Sequence, residues 1–90
     1  MKKTEFIDAV AEAASISKTD ASKAVEAMLT VVTNALKAGD QVAITGFGTF
    51  LMRTREARTG RNPRTGEALN IAAANIPSFK AGKGLKDAVN

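Results

Sequence analysis

Between residues 53 and 75 the chain holds all five of its arginines, together with Gly60, Pro63 and Gly66, and only two large aliphatic residues, Leu69 and Ile71. A segment of that composition has too little apolar surface to pack against anything. It predicts two strands around a turn over Arg61-Asn62-Pro63-Arg64-Thr65-Gly66. Isolated two-stranded hairpins are marginal in water, so the segment is expected to be an arm that is mobile when free. Setting aside these 23 residues leaves 67 of the chain's 90 to build a folded body.

That body is poor in bulk. Seventeen of the apolar residues are Ala, there is no Trp or Tyr, and only 23 larger apolar side chains occur in the whole chain. Small domains are already marginal because they bury a small fraction of their surface. The first half reads as two helices. Thr4 is the expected N-cap of the first, followed by Phe6, Ile7, Val10, Ala11 and Ala14 at helical spacing. Ser17-Lys18-Thr19-Asp20 is a variant capping box opening a second, longer helix. Its stripe runs through Ala21, Ala24, Val25, Met28, Leu29, Val32, Ala35 and Leu36, and Gly39 is the natural stop. Pairing the helical hairpins of two chains would bury this stripe together with the Phe faces. A homodimer is the simplest solution to the thin core.

After Gly39 the period changes to two. Gln41 to Thr45 reads as a strand, Gly46-Phe47-Gly48 as a turn, and Thr49-Phe50-Leu51-Met52 as a second strand. Ile76-Pro77-Ser78-Phe79-Lys80 reads as a return strand to the body, and residues 82–90 leave room for a short closing helix. The fold class is therefore α+β. The expected organisation is one domain over residues 1–90: a helical hairpin at 1–39, sheet at 40–52 and 76–80, an arm at 53–75 and a terminal helix at 82–90.

Charge separates along the same boundary. The net +4 conceals a first half, residues 1–45, with five Lys against six acids (net −1). The second half has eight basic residues against three acids (net +5). Such asymmetry predicts an anionic partner, either nucleic acid or an anionic membrane surface. The membrane reading requires a basic amphipathic helix, whereas here the cations sit on a weakly hydrophobic arm. With neither Cys nor His, disulfides, the usual zinc sites and Ser/His or Cys/His catalysis are excluded. Gly46-Phe47-Gly48 has no third Gly at dinucleotide spacing. Gly82-Lys83 fails as a phosphate loop because Pro77 and Gly84 stand at required positions. No catalytic site, cofactor or metal is expected. Apolar runs are short and Met1-Lys2-Lys3-Thr4-Glu5 does not open a signal peptide, so a soluble intracellular protein is expected.

The candidate binding residues each have a plainer alternative. Arg53, Arg55, Arg58, Arg61 and Arg64 could form a merely solvated surface. Five Arg against only Glu56 and Glu67, with no core function, favour nucleic acid, because guanidinium suits phosphate and narrow minor grooves. Pro63 serves as a turn former or as an apolar wedge between base pairs. Lys80, Lys83 and Lys86 form either an ordinary basic surface or a phosphate seat aided by N–H groups at a helix start.

Three segments resemble the bacterial HU family of DNA-bending proteins, relatives of integration host factor. They are Gly46-Phe47-Gly48-Thr49-Phe50, then Gly60-Arg61-Asn62-Pro63-Arg64-Thr65-Gly66, then Pro77-Ser78-Phe79-Lys80-Ala81-Gly82-Lys83 running into Leu85-Lys86. The resemblance covers essentially the whole chain. It implies an intertwined homodimer with a helical base, a three-stranded β-saddle per chain and extended β-hairpin arms that wrap double-stranded DNA in the minor groove. A heterodimer with a paralogue is a variant of this.

By the same resemblance Pro63 would intercalate and Asn62 with the five Arg would line the arm. Lys3, Lys80, Lys83 and Lys86, with backbone groups of Gly46 and Gly48, would approach phosphates. Val25, Met28, Leu29, Val32, Leu36, Phe47, Phe50 and Phe79 would form the dimer core. The implied function is bending and compaction of DNA with little sequence preference, at the nucleoid in the cytoplasm. A sequence-preferring factor of the integration-host type is the alternative. The chain departs from the common pattern at Ala72 and Ala81, where many members carry Pro, and at Asn75, where a basic residue is frequent. Gly84 also lowers helix propensity at the start of the last helix.

Overall fold

The computed structural model describes residues 1–90, in three helices and five strands. They divide into two compact units, residues 1–35 and 36–90.

The first unit is helical. Helix α1 spans Lys3–Ala14 and helix α2, Lys18–Lys37, continues into the second unit. Contrary to the expected cap at Thr4, α1 begins two residues earlier. Lys2 is its extended N-cap and makes no side-chain capping bond. The end of α1 turns through Ser15 in the left-handed conformation. The Ser15 and Ile16 N–H groups donate to the carbonyls of Glu12 and Ala11. Ser17 caps α2 as its spacing predicts: the Asp20 N–H donates to Ser17 Oγ at 3.0 Å. The three buried apolar side chains of the chain are small, Ala11, Ala21 and Val25, and all lie on these helices. Two ion pairs join α1 to α2, Lys3 with Glu26 and Lys18 with Asp8 (3.7 Å). Both are solvent-exposed and each contributes under about 1 kcal/mol.

Gly39, with φ of +79°, stops α2 in a conformation that side chains rarely adopt. The second unit then builds an antiparallel sheet in the order β1-β2-β5, from Val42–Ile44, Gly48–Arg55 and Ala74–Ala81. The turn before β2 lies one residue earlier than its Gly-Phe-Gly spelling suggests. It is closed by the Phe47 N–H on the Ile44 carbonyl at 2.9 Å, while Gly48 already pairs with Ile44 and Ala81. A separate two-stranded ribbon, β3 (Arg58–Arg61) with β4 (Ala68–Ile71), continues the hairpin.

The expected single hairpin is therefore interrupted at residues 56–57 and 72–73. Its lower part, Arg53 to Arg55 opposite Ile76 to Ala74, is continuous with the three-stranded sheet. The return strand is correspondingly longer than residues 76–80. Backbone pairing needs no apolar side chains once its register is set, so β2 extends past Met52, where the apolar run ends.

Helix α3, Lys83–Val89, is seated on the turn between β1 and β2. Gly82 N–H donates to the Phe47 carbonyl (2.7 Å) and Leu85 N–H to the Gly46 carbonyl (3.2 Å). A β-carbon on Gly84 would collide with the Gly46 carbonyl oxygen. Gly84, a poor helix former, is thus present because the helix start lies against backbone.

Candidate nucleic-acid interface

Opposed residues in an antiparallel ladder share a face. The register places Val42, Ile44, Gly48, Phe50, Met52, Pro77 and Phe79 on one side of the three-stranded sheet. Ala43, Thr49, Leu51, Arg53, Arg55, Ile76, Ser78 and Lys80 lie on the other. On the first side Phe79 contacts Phe50 and Phe47, with ring centroids 4.9 and 5.6 Å apart. On the second, Lys80 pairs with Thr49, and Arg53 and Arg55 follow along the same strand face. One sheet thus presents an aromatic face and a basic face. Period two along β2 and β5 is the cause.

The ribbon carries the basic face outward. Arg58 opens β3 opposite Ile71, and Arg61 closes it opposite Ala68. Beyond Arg61 the tip is held by backbone bonds from Asn62 N–H to the Glu67 carbonyl (2.8 Å) and from Gly66 N–H to the Asn62 carbonyl (2.7 Å). Asn62 Oδ1 accepts the Arg64 N–H at 2.9 Å, enclosing Pro63 in an Asx-type turn. Gly66 closes the loop at φ of +75°. Pro63 and all five Arg are exposed. No Arg forms an ion pair; the two ion pairs of the chain lie between α1 and α2. Glu56 and Glu67 leave the guanidinium charges unneutralised.

Lys80, Lys83 and Lys86 are also exposed. Lys80 ends the basic face of β5, and Lys83 and Lys86 lie one turn apart on α3. An open cleft of about 270 Å³, lined by residues including Thr45, Gly46, Thr49 and Lys80, adjoins the end of β5. The anticipated seat of helix N–H groups is partly occupied, because Leu85 N–H is spent on Gly46. Gly46 offers its carbonyl inward to that bond. Gly48 is required by packing: a β-carbon there would lie 2.7 Å from the Lys80 carbonyl oxygen and collide with the Phe79 ring. Lys3 stands on α1, paired with Glu26. Thr49 shares the basic face through strand alternation from Arg53 back along β2.

The eight residues expected in a dimer core divide by burial. Val25 is buried and Val32, Leu36 and Phe50 are half-buried. Met28, Leu29, Phe47 and Phe79 remain 46%, 44%, 46% and 41% exposed.

Comparison with known proteins shows the family. The family model described as bacterial DNA-binding protein matches residues 1–90. The chain is 60% identical to DNA-binding protein HU-beta of Pseudomonas aeruginosa and 57% identical to that of Escherichia coli K12. Each match runs over 90 residues and covers the whole of both chains. Among solved structures, an Anabaena HU–DNA cocrystal matches with a TM-score of 0.88 at 45% identity, covering 99% of this chain and 97% of the other. HU from Thermotoga maritima matches at 0.70 and 32% identity over the full length of both. The chain belongs to the bacterial DNA-binding protein family, on the HU branch. Both relatives and both structures named above are HU proteins.

Proposed function

We propose that the protein binds and bends double-stranded DNA with little sequence preference, as an architectural component of the bacterial nucleoid. The observation that carries this reading is the basic sheet face running into an arm of five exposed arginines, none of them in an ion pair. Cations on that surface displace the counterions condensed on DNA, which makes binding strong at low salt and indifferent to sequence. Arg suits a narrow minor groove, and Pro63 stands at the tip as an apolar wedge. Partial unstacking costs a few kcal/mol and is offset when the bent duplex meets more protein. Specificity then comes from deformability, so nicked or flexible duplex binds better than straight duplex.

The functional unit is a homodimer. Residues 1–39 form its helical base, 40–52 and 76–80 its saddle, 53–75 its arms and 82–90 a terminal helix. Met28, Leu29, Phe47 and Phe79 are too exposed in one chain for residues of their size. A second copy would cover them together with Val32, Leu36 and Phe50, whereas Val25 is already buried within one chain. Lys80, Lys83, Lys86 and Lys3 would meet flanking phosphates, Lys3 after exchanging Glu26 for DNA. Gly46 and Gly48 would let the saddle backbone approach closely.

The test is energy transfer between the ends of a random-sequence duplex. The parent protein shortens the end-to-end distance, and Pro63→Ala shortens it much less. Equal bending by both removes the wedge from this reading. A sharp footprint at one defined sequence would instead indicate a factor of the integration-host type.

A further inference from the structure

The basic face of the three-stranded sheet is not uniformly polar. Lys80 and Thr49 lie opposite each other toward one end of it, and Arg53 and Arg55 follow along β2 toward the arm. Ile76 stands opposite Arg53, and the row between, toward Thr49, holds Leu51 opposite Ser78. Leu51 and Ile76 are therefore diagonal neighbours across the β2–β5 ladder, on one face and within reach of each other. Ile76 is 42% exposed and Leu51 is half-buried. Ser78, the one hydroxyl in these two rows, donates to the Ile76 carbonyl at 3.4 Å. Strand propensity explains a β-branched residue at position 76, but Thr would satisfy it equally. An isoleucine beside a leucine within a cationic surface fits a partner that is anionic at its edges and apolar at its centre.

We propose that Leu51 and Ile76 seat the deoxyribose of the minor groove and make this sheet face prefer DNA to RNA. This rests on the DNA-binding reading above. The row of Thr49 and Lys80 lies four residues along β2 from the row of Arg53 and Ile76, a span of about 14 Å at the rise of a strand. That span reaches from one phosphate wall to the other of a groove about 6 Å wide. The apolar pair then lies over the sugars between the cations. Deoxyribose offers C–H groups there, whereas duplex RNA displays its 2′-hydroxyls in the minor groove. A hydroxyl pressed against Leu51 and Ile76 loses water without gaining a partner. Contact with sugars carries no base identity, in keeping with binding that is indifferent to sequence.

Valine and threonine share a shape and differ in polarity. Ile76→Val against Ile76→Thr, and Leu51→Val against Leu51→Thr, therefore isolate the effect. Affinity is measured down to low salt for a mixed-sequence DNA duplex and for an RNA duplex of the same sequence, with sedimentation of each free protein alongside. No variant changes charge, so every slope on DNA should stay parental. The Thr variants should bind DNA about threefold to tenfold more weakly than the Val variants, as a buried hydroxyl without a partner implies. On RNA the two should agree within about twofold, because the 2′-hydroxyl then meets a hydroxyl. The preference for DNA over RNA should thus narrow by about threefold or more in the Thr variants.

Thr variants that bind DNA as tightly as the Val variants overturn the apolar contact. So does an equal fall on DNA and RNA, which marks a loss of shape rather than of sugar contact. A parent that holds RNA as tightly as DNA overturns the preference. Altered sedimentation of the Thr variants overturns the assignment too, because the pair then joins copies of the chain. A flat parental slope overturns the DNA-binding reading itself, and this proposal with it.

Discussion

Phe79 stands directly across the ladder from Phe50, their ring centroids 4.9 Å apart and their planes inclined at 51°, yet Phe79 keeps 41% of its surface exposed. In the homodimer proposed above, a second copy of the chain covers this open aromatic cluster. Phe79→Ala should then destabilise by about 3–5 kcal/mol, the cost of truncating a fully buried Phe, rather than the smaller loss of a half-exposed ring. The melting temperature of the parent should rise with protein concentration, as it does when folding and association are linked. Sedimentation equilibrium with calorimetry checks both; a folded monomer at micromolar concentration contradicts the shared core.

Gly48 lies beneath that same ring. A side chain as small as a methyl would press on the Phe79 ring and on the backbone of Lys80, which cannot both retreat without opening the β2–β5 ladder. Gly48→Ala should cost about 1–3 kcal/mol in denaturant unfolding. It should also weaken DNA binding secondarily, by displacing Lys80. Gly60→Ala is the control. Its β-carbon would meet only Ile71, at an ordinary 3.9 Å, and stability should change by less than about 1 kcal/mol.

Asn62 separates the shape of the tip from its charge. Its side chain accepts the Arg64 N–H and so holds the turn around Pro63. Asn62→Ala should leave the salt slope unchanged while reducing DNA bending and weakening affinity about threefold, measured by energy transfer and titration on one duplex. Asn62→Asp keeps the acceptor and should keep the turn, but its added negative charge should flatten the slope.

The helical hairpin and the α+β class were legible because they depend on local rules: a stripe at period 3.6, a hydroxyl at Ser17 and a glycine at position 39. The cap at Thr4 was misplaced because α1 starts with no side-chain capping bond, so composition at its start carries no positional signal. The arm was legible as a polar segment, since five Arg and two large aliphatic residues leave it nothing to pack on. Its breaks at residues 56–57 and 72–73 were hidden. Ala57, Ala72 and Ala73 do not advertise a kink, and the Arg55 bond to the Ala72 carbonyl spans 17 residues. Gly84 looked like a weakness in α3 and is a packing requirement, because the Gly46 carbonyl it faces belongs to a turn far away in sequence. The basic and aromatic faces followed from alternation only once the register was fixed, which no single strand specifies alone.

The direct test is the affinity of the unmodified protein for random-sequence duplex between about 50 and 200 mM salt. If at least three of the five arginines on each of two arms neutralise a phosphate, the log–log slope should be about −5 or steeper, and affinity should fall roughly a thousandfold across that range. A slope shallower than about −2 would contradict the basic arm as the seat of DNA binding.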